Sequence, residues 1–230
     1  CMERGNWRRD YLKMKDSYIE EVKERAQELA EVVKIKSDGN AILLPVTKGF
    51  GVREVEAVLE VGLTKVGESY AQELLEKAKN ITDNRIDWHM IGRIQRNKVK
   101  KLSETVDLWH SVDRKELIAE ISKYKTDSKI LIQVDMNERY QQGGCSPENV
   151  PGLIEFASDK GVNVEGLMTI GVDQDVETTR NIFAELAKLS KKMGLKEISM
   201  GMSNDFEIAI DYGATILRVG RSIFGERAKK

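Results

Sequence analysis

Cysteine is almost missing from this chain: Cys1 and Cys145 are the only two in 230 residues. One of them is terminal and they lie far apart, which excludes a disulfide framework or a cysteine metal cluster and fits a reducing cytoplasm. Histidine is equally scarce, with only His89 and His110. Two histidines without an accompanying carboxylate motif make a poor metal site, so no metal is expected. Three prolines and no low-complexity run leave no linker to divide the chain. Charge of one sign is absent too: 37 Lys and Arg face 38 Asp and Glu. No global field therefore marks a nucleic-acid binder, and no nucleic-acid partner is expected. The longest apolar runs, such as 41–46, are too short to span a bilayer, and no signal-like segment opens the chain. The sequence reads as soluble and cytoplasmic.

What is present is enough apolar material for one core, 40% of residues, under a surface rich in charge, 33%. Residues 1–15 show no clear periodicity and are expected to be an extension, either a frayed tail or a leftover of expression, with Met14 as an alternative start. Tyr18, Val22, Ala26, Leu29, Val32 and Val33 recur at helical spacing, so an amphipathic helix is expected over 16–35. Thereafter strand-like runs at 41–47, 65–67, 87–91, 108–111, 129–135, 163–169, 197–200 and 215–219 alternate with helical patterns. Those helices are expected at 52–61, 70–79, 95–102, 114–124, 147–160, 175–193 and 204–211, with Ser146 capping the one over 147–160 and Pro147 in its first turn. Eight strands separated by helices predict parallel βαβ units closed into a single (β/α)8 barrel of TIM type, over 16–230, behind an extra N-terminal helix. An open doubly wound sheet is the alternative, but no GxGxxG fingerprint follows the first strand.

In such a barrel the C-terminal strand ends line the active face. Lys48 falls there, directly after the apolar run AILLPVT. A lysine beside a dry strand end loses hydration, which favours its neutral amine and suits Schiff-base chemistry; the same residue could equally snorkel to water. At the last strand, Arg218 is followed by Gly220, Arg221 and Ser222 at a helix start, a turn that favours an anion. One unit earlier, Met202 and Ser203 follow a second glycine turn. Each turn alone could be helix capping, but together on neighbouring strands they look like two sides of a phosphate cup. His89 and His110 suit structural or pocket-lining roles better than direct catalysis. Glu68 either meets a pocket cation or caps the next helix. The basic run 93–101 reads as a solvated helix face, with an RNA-facing patch as the weaker alternative.

Seven stretches carry a resemblance: PVTK at 45–48, VGESYAQE at 66–73, DWHMIGRIQRNK at 87–98, HSVD at 110–113, GLMTIG at 166–171, SMGMSNDFEIAIDYGAT at 199–215 and LRVGRSIFG at 217–225. They resemble the pyridoxal phosphate homeostasis proteins, whose barrel is similar to the N-terminal domain of alanine racemase. The resemblance implies pyridoxal 5′-phosphate as cofactor, held as a Schiff base on Lys48. It implies Arg218 against the pyridine nitrogen, with Ser203, Gly220, Arg221 and Ser222 around the phosphate and Met202 beside it. Met168 is implied to line the pocket. Ser69 stands where the family reads asparagine, so its contact to the cofactor should be shorter or water-bridged. Arg93 stands where histidine is common, Arg221 where threonine is frequent, and QQGGC at 141–145 replaces a lysine-containing stretch.

The resemblance further implies a non-catalytic carrier with no catalytic residues, which holds the cofactor or delivers it to apo-enzymes that need it. The alternative is an amino-acid racemase. Racemisation needs acid–base groups on both faces of the substrate; related racemases take one of them from a C-terminal domain, for which this chain leaves no room after Lys230. Without that domain a monomer is expected.

Overall fold

The computed structural model describes the backbone of residues 4–137 and 142–226, and the side chains of residues 14–137 and 142–226. Short apolar runs such as ILLP and KILIQ are buried along almost their whole length, as strands covered on both faces must be. They form β1 Ile42–Pro45, β2 Lys65–Glu68, β3 Asp87–Met90, β4 Val106–Val112, β5 Lys129–Gln133, β6 Asn163–Met168, β7 Glu197–Ser199 and β8 Ile216–Val219. The helices are α1 Arg4–Lys36, α2 Val52–Glu60, α3 Ala71–Asn80, α4 Arg96–Leu102, α5 Lys115–Ser122, α6 Val150–Asp159, α7 Val176–Met193, α8 Phe206–Asp211 and α9 Arg221–Phe224. All eight strands are parallel neighbours, in the order β1-β8-β7-β6-β5-β4-β3-β2. A bridge between Val46 and Gly67, with the Thr47 N–H donating to the Gly67 carbonyl at 3.0 Å, brings β1 back to β2 and closes the ring at its upper rim.

Apolar side chains sort into two bodies. The larger fills the shell between strands and helices, anchored by residues such as Trp109, Leu117, Ile130 and Phe183. The smaller, Leu44, Leu108, Leu131, Met168 and Ile216, fills the barrel interior. Each fully buried Leu or Ile contributes about 1.5–3 kcal/mol to folding, so both bodies matter. The expected TIM-type barrel and extra N-terminal helix are both present, and the strands fall within a few residues of their expected places.

Two local expectations differ. The first helix, expected over 16–35, already starts at Arg4, so most of the expected extension over 1–15 continues into α1; residues 1–3 lie outside the described residues. The segment 147–160 is not one helix: Pro147–Asn149 is a 3-10 turn and α6 begins at Val150. Pro151 is the reason. It has no N–H to give the carbonyl of Pro147, and its ring would crowd that carbonyl in an α-helix. Among the described residues no helix is long and apolar enough to cross a membrane.

Candidate functional site

β1 runs into a tight turn. The Phe50 N–H donates to the Thr47 carbonyl at 3.0 Å, and Gly49 takes φ 80. A positive φ at the third turn position demands glycine and places Lys48 at the second. Lys48 lines a cavity of ≈ 590 Å³ at the C-terminal mouth of the barrel, shared with Phe50, Met202, Ser203, Arg218, Gly220 and Arg221. The loop after β7 and the start of α9 are tied together there, because the Ser222 N–H donates to Ser203 Oγ at 3.4 Å. Gly220 keeps β8 close to β1: a Cβ at this position would stand 3.2 Å from the Val46 carbonyl oxygen. The Phe50 and Phe224 rings pack 5.0 Å apart, and Tyr18 Oη donates to the Phe224 carbonyl at 3.1 Å. The lysine turn, the short α9 and α1 are therefore one packed unit.

Arg218 enters the cavity from β8. Its Nη1 donates to Ser199 Oγ at 2.6 Å and its Nη2 to the Thr169 carbonyl at 2.8 Å. Burial pushes its pKa down to about 10, opposed by the nearby Asp205 carboxylate, so it stays cationic at neutral pH. Beyond Ser199 the polar line continues: Ser199 Oγ lies 2.9 Å from His110 Nδ1, and His110 Nε2 lies 2.9 Å from His89 Nδ1. Burial first, then Lys65, pushes His89 down to about 3; burial, then His89 and Arg218, holds His110 well below its ordinary value. Both imidazoles are neutral at physiological pH, so each offers one donor and one acceptor to this line. His89 ends at a second cavity of ≈ 500 Å³ at the opposite mouth, with Lys65, Asp87 and Asp107. Asp205 also lines the upper cavity; it accepts the Met202 N–H at 2.5 Å, and burial raises its pKa.

The family described as alanine racemase, N-terminal domain, matches residues 19–228. The pyridoxal phosphate homeostasis protein of Aquifex aeolicus is 38% identical over 221 residues, covering 91% of this chain and 96% of that relative. The chain belongs to the pyridoxal phosphate homeostasis protein family. The relative of that name from Deinococcus radiodurans is 33% identical over 199 residues, covering 85% of this chain and 94% of its own. Among solved structures, PipY of Synechococcus elongatus with PLP bound superposes at TM-score 0.77 with 27% identity, over 89% of this chain and 100% of that one. Alanine racemase from Streptomyces coelicolor shares the fold, at TM-score 0.72 and 15% identity over 90% of this chain and 58% of that chain.

Of the residues singled out in this family member, Lys48, Arg218, Ser203, Met202, Gly220 and Arg221 share the cavity wall. Ser222 meets it through its backbone bond to Ser203. Met168 lies in the barrel interior, in the small apolar cluster against which Ile91 and Ile170 pack; those two line the cavity, so Met168 supports its floor. Ser69 follows β2 and donates its N–H to Glu68 Oε2 at 3.2 Å. Arg93 is exposed, and Gln142 lines the cavity while Gln141 lies outside the described residues. In the basic run, Val99 and Leu102 are buried while Arg96, Lys100 and Lys101 face solvent. Glu68 neither caps a helix nor meets a pocket cation: it is fully buried and paired with Lys77 of α3. Ser199, Thr169 and Asp205, which hold or face Arg218, escaped the sequence reading.

Proposed function

We propose that this chain binds pyridoxal 5′-phosphate through a Schiff base on Lys48 and serves, without catalysis, in the upkeep of the cellular pool of that cofactor. The observation that carries the reading is the shared cavity. An amine-bearing turn after β1 faces a hydroxyl, a glycine turn and Arg221 at the ends of β7 and β8, with a buried guanidinium between them. These donors fit the group. When bound, pyridoxal phosphate supplies an aldehyde that condenses with an amine, with loss of water, and a phosphate that takes hydrogen bonds. Lys48 provides the amine, while Ser203, the Gly220 turn, Arg221 and Ser222 hold the phosphate. The names of the relatives and the cofactor in PipY support the same assignment.

Arg218 is the residue we place at the pyridine nitrogen. An arginine stays protonated, donates a hydrogen bond and disfavours protonation of the ring, which weakens electron withdrawal. Such a site suits holding the cofactor better than processing a substrate. Among the described residues no tyrosine lines the cavity to serve as the second acid–base group of a racemase. On this reading the chain works as a cytoplasmic monomer and hands its cofactor to apo-enzymes. The test is to load the chain, mix it with an apo-enzyme and follow transfer, and in parallel to incubate it with L-alanine and separate the enantiomers. Transfer without racemisation above that of free cofactor is expected; enantiomer turnover well above it refutes the carrier reading.

A further inference from the structure

Three polar groups of the turn that bears Lys48 are held from one side by β2 and α3. Lys77 Nζ donates to the Thr47 carbonyl at 2.7 Å, which also accepts the closing Phe50 N–H. The Thr47 hydroxyl donates to Glu68 Oε1 at 2.7 Å. On the far side of Lys48, the Gly49 N–H donates to Glu73 Oε2 at 2.7 Å. The three holders are themselves joined. Lys77 pairs with Glu68 out of solvent, at 5% and 0% side-chain exposure, and Lys77 Nζ stands 3.8 Å from Glu73 Oε2. Both peptides that flank Lys48 are thus fixed to one charge cluster, buried at Lys77 and Glu68 and partly exposed at Glu73, which itself does not line the cavity.

We propose that Lys77, Glu68 and Glu73 are positioning residues for the cofactor lysine: they hold the Thr47–Phe50 turn so that the Lys48 amine meets an aldehyde in the cavity without a search over backbone conformations. This rests on the reading of Lys48 as the cofactor lysine. An isolated buried ion pair is a weak stabiliser, because desolvation offsets the attraction. Its value here lies in where its spare hydrogen bonds go. Lys77 has three donors and the carboxylates have several acceptor sites, so each can join its charged partner and still grip the turn. The reacting step uses only groups already named: Lys48 Nζ forms a bond to the aldehyde carbon, the carbonyl oxygen leaves as water, and the amine protons go with it.

The test splits covalent capture from recognition. The full chain, freed of cofactor, is mixed with pyridoxal phosphate in a stopped-flow instrument and the visible imine band is followed. Binding of pyridoxine 5′-phosphate, which keeps the ring and phosphate but has no aldehyde, is measured by calorimetry. Glu73 is partly exposed, so Glu73→Ala is expected to fold while it removes the grip on Gly49; Lys77→Met is the stronger variant. Each that folds is expected to slow capture by roughly 10- to 100-fold, the range for a displaced reacting group, and to leave pyridoxine phosphate affinity within about twofold. Unchanged capture rates, or equal losses in both measurements, overturn the proposal. Wild-type chain that shows no borohydride-fixed cofactor on Lys48 overturns the reading beneath it instead, which keeps the two failures apart.

Discussion

Arg218 occupies a place where a guanidinium is hard to keep, in the barrel interior and almost fully removed from water. It persists because Ser199 Oγ and the Thr169 carbonyl take two of its donors. Arg218→Met therefore leaves buried partners behind. The Thr169 carbonyl loses its guanidinium donor, while Ser199 Oγ keeps His110; one orphaned polar group costs about 1–3 kcal/mol, so a loss of that order is expected in urea denaturation. A variant as stable as the parent contradicts the assigned contacts. At this scale the sequence was readable where position alone decides. Lys48, Ser203, Gly220 and Arg221 follow strand ends, and strand ends face one mouth. Ser199 and Thr169 were not readable, because small polar residues near strand ends are common. Their link to Arg218 exists only once β6, β7 and β8 stand side by side with Met168 opposite Ser199 and Ser199 opposite Ile216. The role of Glu68 is not legible in sequence, since its partner Lys77 lies nine residues on, in α3, and meets it only once that helix packs on β2.

Among the elements, β3 and β4 carry the chain's two histidines into the interior, and that has a consequence for pH. Burial lowers His89 to about 3 from an unfolded value of 6.5 and lowers His110 in the same direction. The unfolded chain binds these protons more readily than the folded one. The stability that comes from keeping the pair neutral is full above pH 6.5 and drains away as pH falls toward about 3. For His89 the slope is about 1.4 kcal/mol per pH unit within that window, and His110 acts in the same direction. Urea midpoints taken at stepwise lower pH should fall on that account, and should fall less steeply in His89→Gln; parallel curves contradict it. The element pattern itself was largely legible, because apolar runs of strand length alternated with helical periods. What was not legible lay at boundaries. The start of α1 has too little periodicity to be seen from sequence, and Pro151 outweighed the capping pattern that pointed to Pro147.

The molecule as a whole gathers Lys48, Ser203, Gly220 and Arg221 at one mouth of the barrel, after strands distant in sequence but adjacent in space. A ligand that bridges β1, β7 and β8 binds the folded chain and has no site in the unfolded one. Saturation should therefore stabilise: free cofactor at 100 times its Kd adds about 2.7 kcal/mol by mass action. Thermal unfolding followed across a pyridoxal phosphate series should show a midpoint rising with concentration, and a flat series contradicts binding at this mouth. Lys48 carries the central claim. Its direct test is borohydride reduction of the loaded chain, digestion and mass mapping of the peptides. The reduced cofactor is expected on the peptide that contains Lys48 and is expected to vanish in Lys48→Ala. Cofactor mass fixed on a different lysine, or undiminished in that variant, contradicts the account.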